Sequence, residues 1–351
     1  MLRNQSMHDY FRKRGDNHRP RFRFNGSTRA DWQNWRESLL PALKASLGRA
    51  PEVVPLNPEL IAEWRDDGLI KQRILFDVEE NLAAVAYIFR PERPAKAKLP
   101  AILCCHGHGP VGKEAVMGNR STAEHVAAIA QCNYDYGLQM AKAGFVTIAI
   151  DWRGFGERDD RRKPNANPTQ IPGQRDPCEV HGIRATLLGQ TLLGLNLHDG
   201  RRALDLLCQQ PFVDADRIGV MGLSFGGTMT TWFAMLDERI RAADIICYSD
   251  LFAAFGERDV NLCNSQITFG LFDLCDVPDL HGMIAPKPLL VEIGSYDECF
   301  RVDTAVKCFE SARQIYTAAG AADRIELELF EGGHGWAGKK SFEFFRQNLS
   351  E

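Results

Sequence analysis

The sequence has ten cysteines but no Cys-x-x-Cys pair, which argues against a zinc knuckle or a thioredoxin-like redox motif. Its cysteines fall in apolar runs such as "AILCC" (Cys104, Cys105), "ALDLLC" (Cys208) and "DIICY" (Cys247). A thiol there serves as a small hydrophobe, so free thiols are expected. No apolar run approaches the ~18 residues of a membrane span. The opening "MLRNQSMHDYFRKRG" lacks the apolar stretch of a secretory signal, so a soluble, cytoplasmic protein without membrane association is expected. Positive charge is not in excess either. Lys and Arg number 42 against 46 Asp and Glu, a formal net charge of -4, which gives no reason to expect nucleic acid as a partner. Internal repeats and low-complexity tracts are missing too. What is present is a chain of 351 residues, 44% hydrophobic and 25% charged, long enough for one large α/β domain with additions or for two domains.

The first fifty residues begin with a basic arm, "FRKRGDNHRPRFRF", and continue as a helix, "TRADWQNWRESLLPALKASLG", with Asp31 as its cap and Gly48 as its stop. The arm is expected to pack on its own domain or on a second copy of the chain, which makes a homo-oligomer the candidate assembly. "LIKQRILFDV" and "LAAVAYIFRP", split by "EEN", read as a hairpin. Residues 1–98 are therefore read as an N-terminal extension whose hairpin joins the sheet, and 99–351 as the main domain. From Leu99 onward, strands that are apolar throughout alternate with helices, among them one long helix over "LLGQTLLGLNLHDGRRALDLLCQQP". That alternation predicts an α/β fold, a mostly parallel sheet covered by helices on both faces. Two segments break it, 157–182 and 250–285, and both are read as irregular insertions that wall a pocket.

Chemistry concentrates at "RIGVMGLSFGGTMTTWFAML". Gly222, Ser224 and Gly226 form Gly-x-Ser-x-Gly between a strand-like and a helix-like run. At such a turn glycines remove the side chains that would collide, and the hydroxyl stands exposed above the sheet. Ser224 is read as a nucleophile. A serine hydroxyl needs a base to take its proton, and His334 in "FEGGHGW", just past the last strand, is read as that base. The third member is a carboxylate that fixes the imidazole tautomer. Asp297 in "VEIGSYDE" is favoured, with its neighbour Glu298 and Asp250, one strand earlier, as rivals. Glycines in "CCHGHGP" free backbone amides for an oxyanion hole, assigned to the N–H groups of His108 and Phe225. His106 and His108 raise a metal reading, but no nearby Asp or Glu completes a site and no second histidine cluster stands in the sequence, so neither metal nor cofactor is expected.

The chain resembles the α/β-hydrolases, in particular their dienelactone-hydrolase and acetyl-xylan-esterase-like branch. The resemblance is carried by "HGHG", "AKAGFVTIAIDWRGFGER", "DADRIGVMGLSFGGTMT", "LDERIRAADI", "GSYDE" and "GGHGW", from about residue 99 to 340. It implies ester hydrolysis through an acyl-enzyme with no cofactor, and a structural role for Arg153 beside Asp151. Two departures stand out. Phe225 occupies a position where sugar deacetylases often carry glutamine, and the elbow lacks the cysteine of dienelactone hydrolases proper. The expectation is a serine carboxylesterase for small ester substrates, acetylated sugars among them, with Trp152, Trp336 and the aromatics of 250–285 as candidate sugar-stacking or acyl-pocket groups. A peptidase of the prolyl-oligopeptidase type and a catalytically silent binding module are the alternatives.

Overall fold

The computed structural model describes residues 3–162 and 175–350. Two helices precede the sheet, α1 (Met7–Asn17) and α2 (Arg29–Ser46). The cap of α2 is Thr28 and not Asp31: Thr28 Oγ1 accepts the Asp31 amide at 3.1 Å, and the Asp31 carboxylate accepts the Thr28 amide at 2.9 Å. This reciprocal pair satisfies two amide donors at the helix start. Asp31 is thus the third helical residue, three positions past the cap. The basic arm folds against the 250–285 segment of its own chain. The Arg21 and Phe22 amides donate to the carbonyls of Asp273 and Leu274 at 2.8 and 2.9 Å, and the Phe24 amide donates to Asp279.

The described residues form a nine-stranded sheet of order β1-β2-β3-β5-β4-β6-β7-β8-β9. Its first three strands are β1 (Glu59–Asp66), β2 (Leu69–Glu79) and β3 (Leu82–Pro91), an antiparallel meander joined antiparallel to β5 (Val146–Ile150). The rest is parallel: β4 (Leu99–Cys105), β6 (Val213–Leu223), β7 (Ile240–Ile246), β8 (Leu289–Gly294) and β9 (Ile325–Phe330). Strand β1, solvent-exposed along its whole length, is an edge that the hydrophobic pattern did not reveal. The Asp67-Gly68 turn, with φ +56° and +74°, is the signal that would have found it, since such pairs favour tight hairpins.

Alternation along the strands sends side chains to two cores. On β4, Ala101, Leu103 and Cys105 pack on one side of the sheet with residues of α2, α7 (Leu192–Cys208), α8 (Phe225–Leu236) and α11 (Val302–Ala318). Ile102 and Cys104 pack on the other with α3 (Gly112–Val116), α4 (Ala123–Cys132), α5 (Tyr136–Lys142) and α12 (Ser341–Asn348). This is the expected α/β architecture with both faces covered. All ten cysteines are free thiols, and no described helix is long and apolar enough to cross a membrane.

Both insertions depart in part from the expectation of irregularity. Within 157–182, residues 163–174 lie outside the described residues, but Pro177–Leu187 is helix α6. Asp176 caps it, accepting the Cys178 amide at 2.7 Å, and Pro177 opens its first turn. Proline there loses nothing, because that amide has no partner within the helix. The single long helix expected over 187–211 starts only at Leu192, where Thr191 caps α7. The 250–285 segment has no strand, but holds a π-helical turn, Phe252–Arg258, and two short helices, α9 (Leu271–Leu274) and α10 (Val277–Gly282).

Candidate active site

The buried strand β6 ends at Leu223, and Ser224 follows with φ +62° and ψ -119°. For a non-glycine residue this conformation stores about 1–3 kcal/mol, tolerated where the surroundings fix it. Here they do. The Ser224 amide donates to the Ile246 carbonyl at 2.9 Å, and the Ser224 carbonyl accepts the Thr228 amide at 3.1 Å. Both flanking glycines are required: a Cβ at Gly226 would lie 2.1 Å from the Cys105 carbonyl oxygen, and one at Gly222 2.5 Å from that of Gly226.

His334 follows β9 on a loop held to the fold at its far end. The Trp336 amide donates to the Cys132 carbonyl at 2.9 Å, and the Trp336 indole donates to Ser341 Oγ at 2.9 Å. The imidazole lies against the Phe300 ring, with centroids 5.8 Å apart. Its Nδ1 is 2.9 and 3.1 Å from the two Asp297 carboxylate oxygens. A carboxylate accepts only, so Nδ1 carries the proton and Nε2 is left free to act as a base. Asp297 sits on the turn after β8, buried, and its Oδ1 also accepts the amides of Cys299 and Phe300 at 2.8 and 3.1 Å. Burial pushes this carboxyl up, but His334 and the two amides together hold it below the usual carboxylate range. Neither rival meets the histidine among the described hydrogen bonds. Glu298 is exposed. Asp250 is buried and accepts the Leu251 amide at 2.7 Å, and burial pushes its carboxyl up to about 6.

Ser224 and His334 line one cavity of about 500 Å³, together with His108, Gln266 and Leu262. Among the described residues no hydrogen bond joins the two side chains; such contacts often tighten only when substrate binds. The loop after β4 passes directly over the elbow, where a Cβ on Gly107 would stand 3.3 Å from Ser224 Cβ. The Gly107 amide is engaged by the Tyr134 hydroxyl at 2.5 Å. The amides of His108 and Phe225 have no partner among the described hydrogen bonds and so are left to donate. Tyr134, on the loop between α4 and α5, is a residue at this site to which no sequence motif points.

His106 is not available to a metal. Its Nδ1 lies 2.7 Å from the Gly107 carbonyl and its Nε2 accepts the Trp152 amide at 3.0 Å, in full burial. The loop of Asp151 and Arg153 is braced by ion pairs. Lys113 reaches Asp151 at 2.8 Å, and Arg153 holds Asp199 through two bonds of 2.6 and 2.8 Å. Trp152 and Trp336 are both buried, so neither can stack on a sugar.

A buried carboxyl, Glu292, braces the histidine loop, with Asp244 beside it in the same buried pair. Glu292 on β8 accepts the Ser341 hydroxyl at 2.7 Å and the Ala337 amide at 3.1 Å. Burial pushes Glu292 up to about 7 and Asp244 on β7 well above the carboxylate range, each raised further by a neighbouring carboxylate. The folded chain therefore keeps protons that the unfolded chain releases near the ordinary value of 4.5. The stability this contributes is complete below that value and is lost as pH rises through about 7. Melting temperatures of wild type and Glu292→Gln, measured from about pH 5 to pH 8, should show the wild type losing ground to the variant as pH rises. A difference independent of pH would contradict the protonated pair.

The Abhydrolase family profile (Abhydrolase_7) matches residues 5–328. YtaP of Bacillus subtilis (strain 168), provisionally named a hydrolase, is 26% identical over 294 residues, covering 82% of this chain and 90% of that protein. Dipeptidyl-peptidase 5 of Porphyromonas gingivalis is 26% identical over 166 residues, covering 47% of this chain but only 19% of its own length. Among solved structures, a provisionally named acetyl xylan esterase of Bacteroides fragilis NCTC 9343 superimposes with a TM-score of 0.73 at 19% identity, over 93% of this chain and 83% of that one. A glucuronoyl esterase from Solibacter usitatus gives 0.65 at 15% identity, over 92% and 94%. With the profile spanning nearly the whole chain and the fold superimposing over 93% of it, the chain belongs to the Abhydrolase family and has the α/β-hydrolase fold.

Proposed function

We propose that the protein is a serine carboxylesterase acting on small esters. The observation that carries this reading is the Asp297–His334 hydrogen bond of 2.9 Å at the rim of the cavity that also holds the strained Ser224. His334 Nε2 takes the Ser224 proton as Oγ attacks the ester carbonyl. The tetrahedral oxyanion is stabilised by the amides of His108 and Phe225, and Asp297 stabilises the imidazolium. Collapse expels the alcohol, which receives the proton from His334. Water, deprotonated by the same imidazole, then attacks the acyl-enzyme and releases the acid.

A cavity of about 500 Å³ suits an acyl group with a small alcohol portion. Carbohydrate esters are supported as the substrate class by the acetyl xylan and glucuronoyl esterase names of the structural neighbours. Recognition would then rest on polar wall groups such as Gln131, Asn261 and Gln266, because the two candidate tryptophans are buried. A peptidase is the second reading, favoured by the dipeptidyl-peptidase match. Turnover of p-nitrophenyl acetate and of acetylated xylo-oligosaccharides, with no turnover of an aminoacyl-proline anilide, is the expected outcome. The reverse pattern would establish the peptidase.

A further inference from the structure

The geometry points to a binding site for a thiophilic metal ion of the zinc class, formed by His108, Cys178 and Cys263 at the mouth of the active-site cavity. Their ligating atoms all lie within 4.8 Å of one another. His108 Nε2 stands 3.0 Å from Cys263 Sγ and 3.9 Å from Cys178 Sγ. Two ligands of a tetrahedral zinc ion, one sulfur and one nitrogen, are separated by about 3.5 Å when the bonds are about 2.3 and 2.05 Å. The two observed distances bracket that value. Each nitrogen–sulfur distance departs from it by about half an ångström or less.

Several features prepare the site. The His108 ring lies beside Phe155 and Phe225, with centroids 5.5 and 4.9 Å away, which fixes the plane of the imidazole. Cys263 Sγ accepts the Ser265 amide at 3.3 Å, the kind of outer hydrogen bond that steadies a metal-bound thiolate. His108 is exposed and Cys263 lines the cavity, so the fourth tetrahedral position faces solvent and takes water. Two thiolates and one neutral imidazole select zinc-class ions over magnesium or calcium. Binding releases the thiol protons to solvent.

The consequence for activity rests on the esterase reading, whereas binding itself does not. The three ligands come from the loop after β4, the first turn of α6 and the 250–285 segment. A bound ion joins both insertions to the loop that supplies the His108 amide, and it stands in the mouth of the cavity. Zinc therefore inhibits turnover reversibly.

The test uses the full-length protein, reduced and freed of metal. Calorimetric titration with zinc sulfate should give one ion per chain. Cobalt(II) in its place should give a thiolate-to-metal charge-transfer band. Cys178→Ser and Cys263→Ser should each weaken zinc binding by more than the about 10–100-fold that loss of an outer hydrogen bond costs, and both should lose the cobalt band in proportion. Circular dichroism and melting temperature confirm that the variants fold. Cys178 is not part of the catalytic machinery, so Cys178→Ser should keep its metal-free turnover while losing inhibition by micromolar zinc. Absence of a cobalt–thiolate band in the wild type would overturn the site. So would zinc binding or inhibition that persists unchanged in Cys178→Ser, since the ion would then sit elsewhere, such as at the Cys247, Asp297 and His334 group.

Discussion

Ser224→Ala is expected to lower ester turnover by about 10⁴–10⁶-fold, the range seen when one member of a triad is removed. The fold should survive, because alanine fits the space of the serine and the elbow is held by backbone bonds at Ser224 to Ile246 and Thr228. What remains is the residual catalysis of binding and the oxyanion hole, about 10³–10⁴ over water. Substrate affinity should change little. The strained φ of +62° adds a second outcome. Ser224→Gly removes the conformational penalty, worth about 1 kcal/mol, so this equally inactive variant should melt about 2 °C above wild type. An elbow serine kept for structure would show the opposite, with turnover retained in alanine and no gain from glycine.

The carboxylate gives the second large effect. Asp297→Asn should reduce kcat by about 10⁴-fold, because an asparagine amide stabilises the wrong imidazole tautomer and offers no charge to the imidazolium. Asp297 also accepts the amides of Cys299 and Phe300. An asparagine oxygen can keep those bonds, so the turn should hold its shape and the loss should fall on kcat. Glu298→Gln and Asp250→Asn should stay within about tenfold of wild type, 1.4 kcal/mol in barrier, since neither carboxylate meets His334 among the described hydrogen bonds. Steady-state kinetics of the three variants decide the matter. A crippled Asp250→Asn beside a mild Asp297→Asn would move the acid to the preceding strand.

The parts of this site legible in the sequence are those where local pattern and chemistry coincide. A buried run ending in Gly222-x-Ser224-x-Gly226 can fold as few things besides a strand, a tight turn and a helix. Placement of Asp297 and His334 just after successive strands follows from the βα alternation, which puts strand ends on one edge of the sheet. Reading failed where contacts are distant or where composition misleads. The proline-rich look of 157–182 masked α6, although Asp176-Pro177 is a helix start by its chemistry. Strand β1 has no buried face, so no hydrophobic alternation marks it. Spacing within "HGHG" suggested His106 and His108 as a pair, yet the fold spends His106 on the Trp152 loop. It brings His108 to Cys178 and Cys263, 70 and 155 residues away, and no motif spans such separations.

Everything proposed for this site turns on Ser224 being an activated nucleophile. The most direct test is reaction of the native protein with a fluorophosphonate, followed by peptide mapping by mass spectrometry. One phosphonyl adduct per chain is expected, on Ser224 within "GLSFGG", formed by wild type but absent in His334→Ala. No adduct, or an adduct on another residue at the same rate in His334→Ala, would contradict that role for Ser224.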